Sequence, residues 1–252
     1  MILDQFRLDG KVAVVTGGNR GLGAGIAVGL AEAGADIVSI QRSSSTETIA
    51  ERISSLRRFL PLTLDVGAET AAQQALDATL SAFGRVDILV NNAGIQHRAP
   101  AVDFPLEDWD AVLNVNLRAV FLFCQVFGRH MLQQGSGKII NIASLQSVQG
   151  GINIPAYTAS KHAVAGLTKA LCNEWASQSV NVNAIAPGYM ETDLNVALRI
   201  DAIRNQQISE RIPAGRWGKP EDMAGAAVFL ASSASDYLHG HMIAVDGGWL
   251  AR

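Results

Sequence analysis

Lys11-Val12-Ala13-Val14-Val15-Thr16-Gly17-Gly18-Asn19-Arg20-Gly21-Leu22-Gly23 is the stretch that decides the fold. After Lys11 comes a short apolar, largely β-branched run, Val12 to Thr16, the mark of a buried parallel strand. Glycines then punctuate a turn, and a helical pattern runs through Ala33 to a stop at Gly34. Glycines between a strand and a helix let the backbone approach a pyrophosphate at the helix N-terminus. Such glycines are also common at ordinary tight turns. Here they follow a first strand, open a helix, and precede a second strand, Asp36-Ile37-Val38-Ser39-Ile40. That context makes a dinucleotide-binding unit. Gly17, Asn19, Arg20, Gly21, Leu22 and Gly23 are its candidate cofactor contacts.

The second strand ends at Gln41-Arg42-Ser43-Ser44. A fold that prefers NAD usually puts Asp or Glu there to hold the ribose 2′-hydroxyl. No acid is present, and Arg42 and Arg20 are available for a 2′-phosphate. Of the NAD(P) pair, NADP is therefore favoured over NAD. Two solvated arginines are the competing explanation.

Further outward, strands and helices keep alternating. Residues 45–58 read as a helix, and Phe59-Leu60-Pro61-Leu62-Thr63-Leu64-Asp65 as a third strand in which Pro61 is awkward. Asp65, followed by Val66, could accept from an adenine amine or simply cap a turn. Residues 68–83 read as a helix and Val86-Asp87-Ile88-Leu89-Val90-Asn91 as a fourth strand, followed by Asn92-Ala93-Gly94. Strand ends of this kind line the ligand crevice of doubly wound sheets, though a plain turn would read the same way. Residues 108–132 read as one long helix containing Asn116, an unfavourable place for asparagine unless its amide is used. A fifth strand leads to Ser144, and a helix follows from about 156 to 177. Val180-Asn181-Val182-Asn183-Ala184-Ile185-Ala186 breaks at Pro187-Gly188. Residues 189–217 read as a mostly helical lid or substrate segment that includes Met190 and Thr192. A helix over 220–232 and a strand at His241-Met242-Ile243-Ala244-Val245-Asp246 complete the chain. The expected fold is α/β: one Rossmann domain over residues 1–252, a doubly wound parallel sheet of about seven strands with helices on both faces.

Tyr157 and Lys161 are four residues apart on one predicted helix, and therefore on one face of it. An ammonium beside a phenol favours the phenolate and lowers its pKa from about 10. The phenol then becomes a usable proton donor or acceptor near neutral pH. Ser144, at a strand end, could hold a substrate oxygen beside it. The spacing alone would also suit a solvated helix face.

The 252 residues are 48% hydrophobic and 17% charged, with a net charge of −3, which gives no hint of a nucleic-acid partner. No run of about 18 apolar residues suggests a membrane span, and the first residues lack the apolar core of a signal peptide. Two cysteines, Cys124 and Cys172, fall in apolar helical patterns, and no histidine spacing suggests a metal site. A cytoplasmic location is expected.

Thr16-Gly17…Gly21-Leu22-Gly23, Asn91-Asn92-Ala93-Gly94, Asn116, Ser144, Tyr157…Lys161 and Pro187-Gly188 together resemble the short-chain dehydrogenase/reductases, in that family's order and spacing. Gln149-Gly150-Gly151-Ile152, Asn173-Glu174-Trp175-Ala176, Arg211-Ile212-Pro213-Ala214-Gly215-Arg216-Trp217-Gly218 and Gly247-Gly248-Trp249-Leu250-Ala251-Arg252 look like the 2-deoxy-D-gluconate 3-dehydrogenases, also called 2-dehydro-3-deoxy-D-gluconate 5-dehydrogenases. Glu191-Thr192-Asp193-Leu194-Asn195 departs from that pattern and bears on the substrate. The resemblance implies Tyr157 as acid/base, Lys161 as lowering its pKa and holding the nicotinamide ribose, Ser144 as orienting the substrate oxygen, and Asn116 as supporting a proton relay through water. It also implies cofactor contacts from Asp65, Val66, Asn92, Ala93, Gly94, Tyr157, Lys161, Pro187, Gly188, Met190 and Thr192, and a homotetramer, with the helices of Asn116 and Tyr157 packed between subunits.

The expected activity is hydride transfer between NAD(P) and a secondary alcohol or ketone of a sugar acid. Gluconate 5-dehydrogenase and 3-oxoacyl-carrier-protein reductase share the motifs. Arg129, Lys138 and Lys169 are too scattered to suggest a carrier-protein dock. A dinucleotide-sensing regulator would more naturally have lost Tyr157 or Lys161. A sugar acid needs a cation, and arginine bonds a carboxylate bidentately. Arg98 is the first candidate, Arg199 and Arg216 are others, and Gln149 and Tyr189 are expected as hydroxyl partners in the pocket.

Overall fold

The computed structural model describes residues 1–42 and 47–252. Seven parallel strands lie in the order β3-β2-β1-β4-β5-β6-β7. They are β1 (Val12–Thr16), β2 (Asp36–Gln41), β3 (Phe59–Thr63), β4 (Ile88–Asn91), β5 (Gly137–Ile142), β6 (Val180–Pro187) and β7 (Met242–Val245). The order reverses between β1 and β4, whose residues Val15 and Val90 lie side by side. Ligands of open α/β sheets bind at such a reversal, beyond the carboxyl ends of the strands.

Every residue of β1, β4 and β6 is buried, as near-continuous apolar runs in a covered parallel sheet require. α3 (Ala71–Phe83), α5 (Ala119–Gln134) and α6 (Pro155–Trp175) cover one face, where Phe123, Phe127 and Met131 are fully buried. α1 (Gly21–Glu32) and α9 (Ala224–Ala231) cover the other, with Ile26 and Leu30 against Leu230. β3 is an edge strand, which is where proline is tolerated and explains Pro61.

Two asparagines cross the core between β4 and β5. Asn91 faces Asn141 in register, and the Asn91 amide donates to Asn141 Oδ1 at 2.9 Å. Asn141 Nδ2 donates in turn to the Thr168 hydroxyl on α6 at 3.0 Å.

Several expected boundaries move for local reasons. The helix foreseen from 68 starts at Ala71, because Asp65 Oδ1 accepts the Gly67 N–H and closes a turn first. The helix foreseen over 45–58 is α2 (Glu47–Ser54); positions 45 and 46, like Ser43 and Ser44, lie outside the described residues. The helix foreseen over 108–132 is three pieces: α4 (Leu106–Leu113), a π-helical turn at Asn114–Arg118, and α5. By length and composition the stretch Leu106–Gln134 could cross a membrane, which the sequence reading did not anticipate. Its apolar residues Phe123, Cys124, Phe127 and Met131 instead fill the core. Residues 189–217 carry α7 (Val196–Ile200) and α8 (Ala202–Arg211), which arch over the carboxyl ends of the strands.

Candidate active site

The loops after β1 and β4 are stapled together. Thr16 Oγ1 accepts the N–H groups of Asn92 at 2.9 Å and Ala93 at 3.0 Å. Asn92 Nδ2 returns bonds to the carbonyls of Thr16 and Gly17 at 2.9 and 3.2 Å. Gly17 has φ +66°, a left-handed conformation that glycine adopts without strain. Gly23 is needed for another reason: a Cβ there would lie 2.1 Å from the Gly17 carbonyl oxygen. Helix α1 therefore packs directly under the loop.

A cavity of about 890 Å³ runs from this loop across the strand ends, within the size range of ligand pockets. At one end it is lined by Gly17, Asn19, Arg20, Gly21 and Leu22, by Gln41 and Arg42, and by Asp65 and Val66. Asn92, Ala93, Gly94, Pro187, Gly188, Met190 and Thr192 line its middle. These residues fit an NAD(P) molecule. No acidic residue or side-chain cap occupies the first turn of α1, so its free N–H groups can face a pyrophosphate. No carboxylate stands at the end of β2; Gln41 is buried there, accepting from Ser39 Oγ at 3.2 Å, and Arg42 is exposed.

Among the expected cofactor contacts, Gly23 alone does not reach the cavity. Arg20 is shared with the lid, its Nη1 lying 3.3 Å from Asp193 Oδ2. Asp65 spends one oxygen on its turn.

At the other end of the cavity, Ser144 caps the short turn Leu145–Ser147 and accepts the Gln146 N–H at 3.2 Å. Ser147 Oγ donates to the Lys161 carbonyl at 2.7 Å, tying that turn to α6. Pro155 opens α6 at its first position, where a missing N–H costs nothing. The helix brings Tyr157 and Lys161 to the same wall as Ser144. Burial holds the Tyr157 phenol above its ordinary pKa, while the nearby Ser144 hydroxyl and the charge of Arg98 act in the opposite direction. Burial lowers Lys161 to about 8. The Lys161 ammonium bonds the Ile142 carbonyl and lies 5.6 Å from the Tyr157 ring centre. The lowering of the Tyr157 pKa by Lys161 expected from helical spacing does not appear: the ammonium is turned to the strand end, and burial dominates.

Asn116 lies in the π-helical turn and is completely buried. Its carboxamide accepts the Ile95 N–H and donates to the Ile95 carbonyl, each at 2.9 Å, and also reaches Ser160 Oγ. This side chain braces the loop after β4 and does not line the cavity. The use of its amide answers the question that its position in an apolar helix raised.

Arg98 lines the cavity and has no hydrogen-bond or ion-pair partner among the described residues. Partial burial lowers its pKa; the nearby Tyr189 and Tyr157 oppose that shift and Arg204 adds to it. Arg199 and Arg216 are committed elsewhere. Arg199 faces Glu191 at 3.5 Å, and Arg216 grips Asp222 at 2.6 and 2.9 Å. Tyr189 packs against Trp249 and Trp217, with ring centres 4.6 and 5.4 Å apart. Gln149 reaches the cavity, but its Oε1 accepts from Trp249 Nε1 at 3.2 Å. The sequence reading missed Gln146, Arg204, Arg211 and Trp249 as lining residues. Arg204 and Arg211 come from a helix seven residues apart on one face, a periodicity that was present in the sequence. Arg211 stacks over Trp249 at 3.9 Å.

A reversed parallel sheet with a glycine loop at the reversal, and Ser144, Tyr157 and Lys161 beyond it, defines an oxidoreductase of the short-chain type. The chain belongs to the short-chain dehydrogenase/reductase family; the family model described as enoyl-(acyl carrier protein) reductase matches residues 17–250. It is 55% identical over 253 residues to the 2-dehydro-3-deoxy-D-gluconate 5-dehydrogenase of Dickeya dadantii, covering 100% of both chains. It is 56% identical over 250 residues to the enzyme of the same name from Bacillus subtilis, covering 99% of this chain and 98% of that one. The crystal structure of a gluconate 5-dehydrogenase from Burkholderia cenocepacia in complex with NADP and tartrate superposes with a TM-score of 0.94, at 45% identity and full coverage of both chains.

Proposed function

We propose that the protein oxidises the C5 hydroxyl of a six-carbon sugar acid, 2-dehydro-3-deoxy-D-gluconate or gluconate, with NADP as the preferred cofactor. The observation that carries this reading is the position of Tyr157 between a hydroxyl and a cation. The Ser144 hydroxyl and the unpaired Arg98 line the same cavity as the phenol, and both favour its ionised form. Reaction at C5 replaces the C3 oxidation implied by one of the two names drawn from the sequence, since the relatives at 55 and 56% identity are named as 5-dehydrogenases. The complex of the Burkholderia relative with NADP and tartrate, a hydroxy acid, supports both the cofactor and the substrate class.

Bound NADP supplies the acceptor for the hydride leaving C5. Tyr157, as phenolate, takes the hydroxyl proton, so a secondary alcohol becomes a ketone with release of one hydride and one proton. Ser144 holds the substrate oxygen beside the phenol. Lys161 holds the nicotinamide ribose, and the free N–H groups of α1 hold the pyrophosphate. Arg98 takes the carboxylate as a bidentate partner. Asn116 keeps the loop carrying Asn92-Ala93-Gly94 in place through Ile95. A homotetramer is part of the proposal, supported by the exposed Phe121 beside Leu113, Leu117 and Leu167 in a shallow apolar hollow between α4, α5 and α6.

Purified protein assayed with NADP and NAD separately, against 2-dehydro-3-deoxy-D-gluconate, gluconate, 2-deoxygluconate and a 3-oxoacyl thioester, tests the reading. Turnover of the first two with NADP is expected. Turnover of the thioester alone would overturn it.

A further inference from the structure

Four buried side-chain polar atoms lack a hydrogen-bond partner among the described residues: His130 Nε2, Gln146 Oε1, Thr158 Oγ1 and His239 Nδ1. Of these four residues only Gln146 lines the cavity. Native structures leave few buried polar atoms unpaired, and one at a ligand cavity is one that a ligand can satisfy.

Gln146 is 8% exposed and sits in the turn that Ser144 opens. Its backbone N–H donates to the Ser144 hydroxyl, so Gln146 is anchored beside the group that orients the substrate oxygen, and it lines the same cavity. The carboxamide lies against the backbone of Gly151. A Cβ at 151 would come within 3.1 Å of Gln146 Oε1 and 2.4 Å of Ile154 Cδ1, so glycine there makes the room the carboxamide occupies. Gln149, the glutamine expected to read the substrate, has its oxygen taken by Trp249. Among the side-chain amides lining this pocket, Gln146 alone has a buried oxygen without a partner among the described residues.

We propose that Gln146 is a specificity-determining residue that hydrogen-bonds a hydroxyl on a carbon next to the reacting one, and so selects polyhydroxylated acids over their deoxy counterparts. A carboxamide suits this task because it donates through nitrogen and accepts through oxygen, as a hydroxyl does both. Rotation about its last side-chain bond exchanges which of the two faces the substrate. 2-Dehydro-3-deoxy-D-gluconate and gluconate both carry hydroxyls at C4 and C6, on either side of C5. The inference rests on the C5 sugar-acid reading above.

The test uses two ketones with the same chain length, the same C5 carbonyl and the same carboxylate: 5-keto-D-gluconate and the unhydroxylated 5-oxohexanoate. Reduction of each by NADPH is followed in wild type and in Gln146→Met, with NADPH affinity measured by fluorescence titration and folding by thermal melting. Wild type should prefer 5-keto-D-gluconate. Gln146→Met should lower kcat/KM for it roughly tenfold, the size of one lost hydrogen bond, leaving 5-oxohexanoate and NADPH affinity within about twofold. A variant that keeps the full wild-type preference overturns the inference. Equal kcat/KM for the two ketones in wild type overturns it without any variant, should Gln146→Met not fold. Wild type that reduces neither ketone overturns the C5 sugar-acid reading itself, a separate result.

Discussion

The Lys161 ammonium donates to the main-chain carbonyl of Ile142 at 2.6 Å. That bond ties α6 to the last residue of β5, two residues before Ser144. Lys161 is 4% exposed and has no carboxylate partner among the described residues, so its ammonium is held by the Ile142 carbonyl, with the Tyr157 ring 5.6 Å away. Burial disfavours its charged form, which is why its pKa falls to about 8.

A pH dependence of stability follows from Lys161. Its folded pKa of about 8 lies below the ordinary lysine value of 10.5, so between these two values the unfolded chain binds more protons. Stability from this group therefore rises with pH across that window, by an amount on the order of 3 kcal/mol. The difference in unfolding free energy between wild type and Lys161→Met, measured from pH 7 to 10.5, should shift toward wild type as pH rises. A flat difference would show that the ammonium is not desolvated.

Tyr157→Phe removes the proposed proton-transfer group and little volume. Oxidation should slow by about 10² to 10⁴, with NADPH affinity unchanged by fluorescence titration. Because burial raises the phenol pKa, kcat/KM for oxidation in wild type should climb with pH above neutrality. Near wild-type turnover in the variant would move the proton transfer to another group.

Arg42 is the exposed cation at the end of β2, with no acid beside it. On the proposed cofactor placement, Arg42→Ala would remove a charge-assisted hydrogen bond to a 2′-phosphate and leave the NAD ribose untouched. The ratio of kcat/KM for NADP over NAD should fall roughly tenfold or more. Arg20 is a weaker lever, since it is shared with Asp193 in an exposed pair. An unchanged ratio would mean that Arg42 points away from the cofactor.

Arg98→Ala should raise KM for sugar acids by roughly tenfold or more, leave NADP affinity unaltered and spare neutral substrates. If KM for every acid tested stays the same, Arg204 or Arg211 carries the carboxylate instead.

The sheet and its reversal were legible because buried parallel strands are written as short, dense apolar runs. Lys11 to Gly23 could be placed because its glycines stand between an apolar strand and a helix, with a second strand following. Ser144, Tyr157 and Lys161 could be read because strand ends and helical spacing are local properties. The lid was read only in outline. Which arginine faces the cavity depends on how α8 lies over the strand ends, a tertiary fact with no local signature. Trp249 is far from the site in sequence and reaches it only because the C-terminal turn folds back to Gln149. The effect of burial on Tyr157 was not legible in the sequence, because helical spacing reports neighbours, whereas burial depends on everything packed around the phenol.

The Asn91–Asn141 amide pair has a consequence for assembly fidelity. A slip of β5 by one residue against β4 would break the pair: in one direction Asn91 would face Ile142 and Asn141 would face Val90, stranding two buried amides at about 1–3 kcal/mol apiece, and in the other Asn91 would face Ile140. It would also carry Ser144 roughly 3.3 Å along the strand from its place beside Tyr157. The pair thus discriminates against misregistered chains before any substrate is met. It sits out of reach of the cavity, yet it selects the folded form in which the reacting groups converge.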